Sequence, residues 1–288
     1  MKGVYTPDPN KNKEEWLVKV ILINRLLLYF TLIMVGIGFF FLLLAGDGRA
    51  WPAGKDRYFL LQRTGIREIR TGEKLLALTF NGGPGPTSTG LILDLLKQYN
   101  VRATFFVSGR RAELYPEIIL RQVREGHELG NHTYTHRPVD RLSEEELRLD
   151  LYRAHRVIYG ITGVNMRLFR PAGEFGARAR TGKTLLRVAK ALGYEVILRS
   201  GEEEDYDWPL ASGEEIARKV LGNVKPGVII SFSDQGDGYG NTLQALRIIL
   251  PVLEERGYRF VTVSELLRAA RRMPAADSHP LTVAHSGY

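Results

Sequence analysis

The chain has 288 residues, 44% of them hydrophobic and 25% charged, with a formal net charge of +8 and no cysteine. That length supports one domain of about 200 residues with its own core, plus appendages. The lack of cysteine excludes a disulfide framework and a thiolate zinc site; the charge permits an anionic partner such as lipid or a wall polymer, but Lys and Arg are scattered with no nucleic-acid module signature, and the first reading is a solvated surface.

Residues 26–45, LLLYFTLIMVGIGFFFLLLA, carry no charge and are bracketed by Arg25 and Asp47. Twenty residues at about 1.5 Å rise each cover roughly 30 Å, the hydrocarbon thickness of a bilayer. The run is long for a signal-peptide core and no small-x-small cleavage site follows it. It is expected to be an uncleaved transmembrane signal anchor. Residues 10–25 hold Lys11, Lys13, Lys19 and Arg25, against Arg49, Lys55 and Arg57 in 46–61. This slight bias predicts a cytoplasmic tail at 1–25 and a single-pass cell-membrane protein with its bulk outside. Residues 46–70 read as a juxtamembrane linker with a possible short strand at 58–62.

Beyond the linker, short apolar runs alternate with helical patterns. Strands are predicted at 74–80, 103–107, 127–131, 166–170, 195–199, 227–232 and 259–263. Helices are predicted at about 88–99, 115–125, 143–160, 181–192, 213–222, 240–256 and 264–272. Ser143 and Glu146 have capping-box spacing, and Ser264-Glu265 opens the last helix less clearly. This order predicts a parallel sheet covered by helices over 71–272, either a (β/α) barrel of seven or eight units or a flat doubly wound sheet. The tail at 273–288 lacks periodicity and is expected to be flexible.

In a (β/α) barrel, chemistry gathers where the strands end. The first strand runs into Asn81-Gly82-Gly83-Pro84, and the third into His132-Thr-Tyr-Thr-His136. The fourth ends in Arg170-Pro171, the fifth leads to Asp205-Tyr206-Asp207-Trp208, and the sixth runs into Ser233-Asp234. Each cluster alone reads as a turn, cap or surface group. The two histidines, four apart, suit one face of a helical turn and metal binding. Five polar clusters at one rim are hard to explain as packing.

These residues resemble the polysaccharide deacetylases with a NodB-homology domain, carbohydrate esterase family four. TFNGGP stands against the family's T-F-D-D-G-P, HTYTH against H-[ST]-x-x-H, RPAGEFG against R-x-P-Y-G, and DYDW against D-x-x-D-W. IISFSD stands against an apolar strand ending in H-D. The likeness covers about residues 70–268. It implies an irregular (β/α) barrel of about seven units, preceded here by the transmembrane helix. It implies a divalent metal, usually zinc, on an Asp-His-His triad, and hydrolysis of acetyl groups on a glycan such as peptidoglycan.

Carried across, the resemblance makes His132 and His136 metal ligands, Arg170 the arginine that steadies the base, and Asp207 the aspartate that tunes the acid. Tyr134, Phe175 and Trp208 become candidate sugar contacts. Asn81 stands at the base position, Gly82 at the third metal ligand and Ser233 at the catalytic acid. An amide offers no proton-accepting site near neutral pH, a glycine no ligand, and a hydroxyl no proton for a leaving amine. The expectation is a catalytically impaired protein with weakened zinc binding, acting as a pseudoenzyme that binds glycan or an unknown protein partner. The alternative is an active metal-dependent N-deacetylase with a rearranged site, in which Glu174 or Asp234 swings in as ligand or base. A purely structural role in a membrane complex is a third, weaker reading.

Overall fold

The computed structural model describes residues 65–67, 69–173, 179–198, 200, 212–236 and 238–272. The expected membrane span at 26–45, the possible strand at 58–62, Glu174, Phe175, Asp205, Asp207, Trp208 and the tail at 273–288 lie outside these. Among the described residues no helix is long and apolar enough to cross a membrane.

All seven predicted strands form, and every pairing among them is parallel. They are β1 (Leu75–Asn81), β2 (Thr104–Val107), β3 (Glu128–Asn131), β4 (Leu168–Phe169), β5 (Glu195–Val196), β6 (Ile229–Ser233) and β7 (Arg259–Phe260). The order is β5-β4-β3-β2-β1-β6, with β7 pairing β1. β1 is central, and all seven of its residues are buried. It pairs with β2 through Thr79↔Thr104, with β6 through Ala77↔Ile229, and with β7 at its start through Leu75↔Arg259.

The sheet curls into a half-barrel, which excludes the flat doubly wound alternative. Between β5 and β6 there is no ladder among the described residues. A strap of backbone hydrogen bonds spans the gap instead. Ile66 N–H donates to Val196 O at 2.8 Å, Ile69 N–H to Gly227 O at 3.0 Å, and Ser200 N–H to Ile229 O at 3.3 Å. Ile66 and Ile69, in the stretch read as linker, are therefore buried against the strands.

The two-residue period of the strands separates two layers. Leu76, Leu78 and Phe80 of β1, with Ile230 and Phe232 of β6, pack outward in the large core beneath the helices. Leu75, Ala77 and Ile229 face inward and pack with Ile66, Ile69, Phe106, Leu168 and Ile197, a smaller core joined by Val263, Leu266 and Leu267. Further along the same inward rows come Thr79 and Asn81 on β1, and Ser231 and Ser233 on β6. The interior is thus apolar where the strands begin and polar where they end.

The helices are α1 (Ser88–Gln98), α2 (Gly109–Leu114), α3 (Pro116–Arg124), α4 (Glu144–Thr162), α5 (Ala179–Ala191), α6 (Gly213–Asn223), α7 (Tyr239–Glu255) and α8 (Val263–Arg271). Six-residue α2 escaped the sequence reading because it is too short to show a periodic stripe. The capping box at Ser143 and Glu146 forms. At α8 the cap lies earlier than expected. Thr262, not Ser264, accepts from Glu265 N–H, and the Glu265 carboxylate accepts Thr262 N–H in return.

Candidate active site

Asn81 ends β1 with its carboxamide inside the barrel mouth. Its Nδ2 donates to Ser231 Oγ at 2.6 Å, and its Oδ1 accepts from Arg170 Nη1 at 2.7 Å. The orientation of the amide follows from chemistry, because guanidinium can only donate. Arg170, just after β4, is buried and crosses the interior. The same Nη1 reaches Thr79 Oγ1 at 2.7 Å, and the guanidinium carbon lies 4.2 Å from the Phe106 ring centroid. Ser231 was missed from sequence, although its place two residues before Ser233 puts it on the same inward row.

His132 follows β3 and is buried. Its Nδ1 lies 2.7 Å from the Arg170 carbonyl oxygen, which only accepts, so Nδ1 carries the proton and Nε2 keeps its lone pair. Burial, reinforced by neighbouring His136, pushes the imidazole down to about 3. The His132 and His136 rings lie 4.8 Å apart between centroids.

The expected helical turn is not what joins them. Thr133 and His136 have φ of 66° and 57°, so a left-handed loop brings the rings together. Asn131 Oδ1 accepts Thr133 N–H at 2.8 Å. The Asp150 carboxylate, from α4, accepts Tyr134 N–H at 3.2 Å and Thr135 Oγ1–H at 3.0 Å. Asp150 gave no signal in sequence, where it is one acid among several on an amphipathic helix.

The same loop turns Tyr134 away from a sugar-stacking role. The residue is 7% exposed, Arg153 lies over its ring at 3.6 Å, and its hydroxyl donates to Glu113 at 2.5 Å. Ser233 lies beside Asn81 in the β1–β6 register. Its Oγ donates to Gln235 O at 3.2 Å and accepts Gln235 N–H at 3.3 Å. Asp234 does not swing in. Oδ1 accepts Gly83 N–H at 2.8 Å and Oδ2 accepts the Thr89 hydroxyl at 2.8 Å. Burial pushes this carboxyl up to about 6.

The structure thus joins Asn81, Arg170 and Ser231 directly, and ties His132 to them through the Arg170 carbonyl. A match to the polysaccharide deacetylase model covers residues 68–197. A peptidoglycan-N-acetylglucosamine deacetylase of Bacillus cereus is 39% identical over 201 residues, covering 70% of this chain and 92% of that protein. The chain belongs to the polysaccharide deacetylase family.

Two solved structures sharpen the comparison. A peptidoglycan N-acetylglucosamine deacetylase superposes with a TM-score of 0.66 at 31% identity, over 72% of this chain and 94% of the other. A CE4 family pseudoenzyme from Bacillus anthracis superposes with a TM-score of 0.62 at 28% identity, over 70% and 68%. A mutant of that pseudoenzyme is described as having restored enzymatic activity.

The family's divalent metal makes a definite demand on the donors. Zinc in a hydrolytic site takes three protein ligands and keeps a fourth position open. Here two imidazoles stand side by side, and residue 82 has no side chain. Among the described residues no group of three or more His, Cys, Asp or Glu could hold a metal ion. Among the described residues the donor set does not fit the family's three-ligand site, and Glu174, Asp205 and Asp207 lie outside them.

Proposed function

We propose that this protein is a membrane-anchored, deacetylase-like pseudoenzyme directed at N-acetylated cell-wall glycan, binding glycan or a protein partner without turnover. One observation carries the reading. The Asn81 carboxamide is bonded at both ends, to Arg170 and to Ser231. The base position therefore holds a neutral group with no proton-accepting role. Positioned base or acid groups typically contribute about 10²–10⁴-fold each. Here both are replaced, at Asn81 and Ser233, together with the ligand at Gly82. The two-histidine pair holds zinc weakly at most.

The relatives' substrate supports peptidoglycan as the glycan. The uncharged run at 26–45 supports anchoring in the cell membrane, with the domain outside at the wall. The test is acetate release from N-acetylglucosamine oligomers and peptidoglycan with zinc added, for the natural chain and for Asn81→Asp, Gly82→Asp, Ser233→His together, the latter with and without Gln235→Ala. Release only by the repaired chain supports the pseudoenzyme. Steady release by the natural chain, abolished by His132→Ala, overturns it in favour of a rearranged active site.

A further inference from the structure

Gly82 has φ of 86°, a left-handed conformation that side-chain-bearing residues rarely adopt. Its N–H donates to Phe106 O at 3.1 Å, which ties this backbone to β2. A Cβ added at Gly82 would lie 2.5 Å from Gln235 Nε2 and 2.7 Å from Gln235 Cδ. Both are well inside van der Waals contact. The Gln235 carboxamide, the far end of a flexible and partly exposed side chain, thus occupies the space beside residue 82 and has to move aside for any side chain placed there. Its backbone is held by Ser233, which accepts from Gln235 N–H and donates to Gln235 O. The next position is closed in the same way, since a Cβ at Gly83 would run into the Asp234 carboxylate. The turn after β6 thus interlocks with the two glycines after β1.

We infer that Gln235 plugs the place of the third metal donor, so restoring an acid at residue 82 does not by itself complete a metal site. This rests on the reading that residue 82 is where the missing donor belongs. The plug is chemically poor as a substitute. A carboxamide is neutral, its nitrogen is not a metal ligand, and its oxygen lacks the charge of a carboxylate. The cost of an acid at 82 has two parts. One is the left-handed backbone, which remains whatever Gln235 does. The other is the Gln235 side chain, which a second substitution removes.

The experiment compares Gly82→Asp with Gly82→Asp, Gln235→Ala in the full chain in detergent. Zinc and cobalt(II) affinities are measured by competition with a chelating indicator. Removing Gln235 is expected to tighten metal binding at least about tenfold in the Gly82→Asp background, and to change it less than about twofold in the natural one. Equal affinities of the two chains that carry Gly82→Asp would overturn the inference. A second measurement covers failure of those chains to fold. Melting temperatures of Gly82→Ala, Gln235→Ala and the double variant form a cycle. Gly82→Ala is expected to lower the midpoint more with Gln235 present than without it, and strict additivity would overturn the plug. Acetate release by the natural chain bears on the proposed function alone and leaves both comparisons standing.

Discussion

Arg170 Nη1 holds Asn81 Oδ1 at 2.7 Å, as it would hold the oxygen of a carboxylate at the same place. Carboxamide and carboxylate present the same oxygen to a guanidinium, so this geometry suits either group. Asn81→Asp is therefore expected to fold and to place its carboxyl beside a buried cation. Arg170 would hold that carboxyl below the usual value of about 3.9. In the unfolded chain it takes up a proton at higher pH than in the folded one, so the added stability is lost as pH falls. The melting temperature of the variant minus that of the natural chain should drop between about pH 6 and about pH 3. A constant difference over that range would mean that the new carboxyl does not feel Arg170.

His127 supplies a second pH dependence. Its Nδ1 accepts Ala103 N–H at 3.1 Å, which requires a neutral ring, and burial pushes it from 6.5 down to about 4. Between those values the unfolded chain binds the extra proton, so its contribution is full above about pH 6.5 and is lost on acidification. Asp234, pushed up by burial, has the opposite slope, but it is common to both proteins in a comparison with His127→Gln. The natural chain should be the more stable at about pH 7, with the margin narrowing toward about pH 4. A margin that widens in acid would contradict a neutral buried His127.

Asp234 is a fastener for the turn after β1. Its carboxylate accepts from Gly83 N–H and Thr89, while its carbonyl accepts from Ser88 Oγ at 2.6 Å. Asp234→Ala should leave buried donors unmatched and cost roughly 1–3 kcal/mol in urea unfolding. Asp234→Asn should recover most of this, because its oxygen can still accept from Gly83. A neutral Asp234→Ala would show that the turn is held by other contacts.

The proposed anchor makes a simple cellular prediction. The full chain is expected in the membrane fraction, resistant to salt wash, with the domain accessible to protease from outside. A chain lacking residues 1–45 should be recovered in the aqueous phase. Recovery of the full chain in the aqueous phase would remove the anchor from the proposed function.

Much of this molecule was legible in one dimension. Strands buried on both faces, such as LLALTFN at β1, read as continuous apolar runs, and the helices between them show their own period. The placement of polar residues at the strand ends was legible too, because Asn81, His132, Arg170 and Ser233 each end or follow an apolar run at one rim. Short-range patterning determines these features, and it is written into neighbouring residues. Tertiary structure alone decided which way the polar groups turned. Asn81 and Arg170 are 89 residues apart, and only curling of the sheet makes them partners. Tyr134 was read as a sugar platform, yet left-handed residues on either side of it turn its ring under Arg153. Asp234 and Gln235 adjoin in sequence, but one fastens Gly83 and the other fills the space at Gly82. Side-chain direction at a turn depends on the backbone of a second, distant turn, and no local period records that.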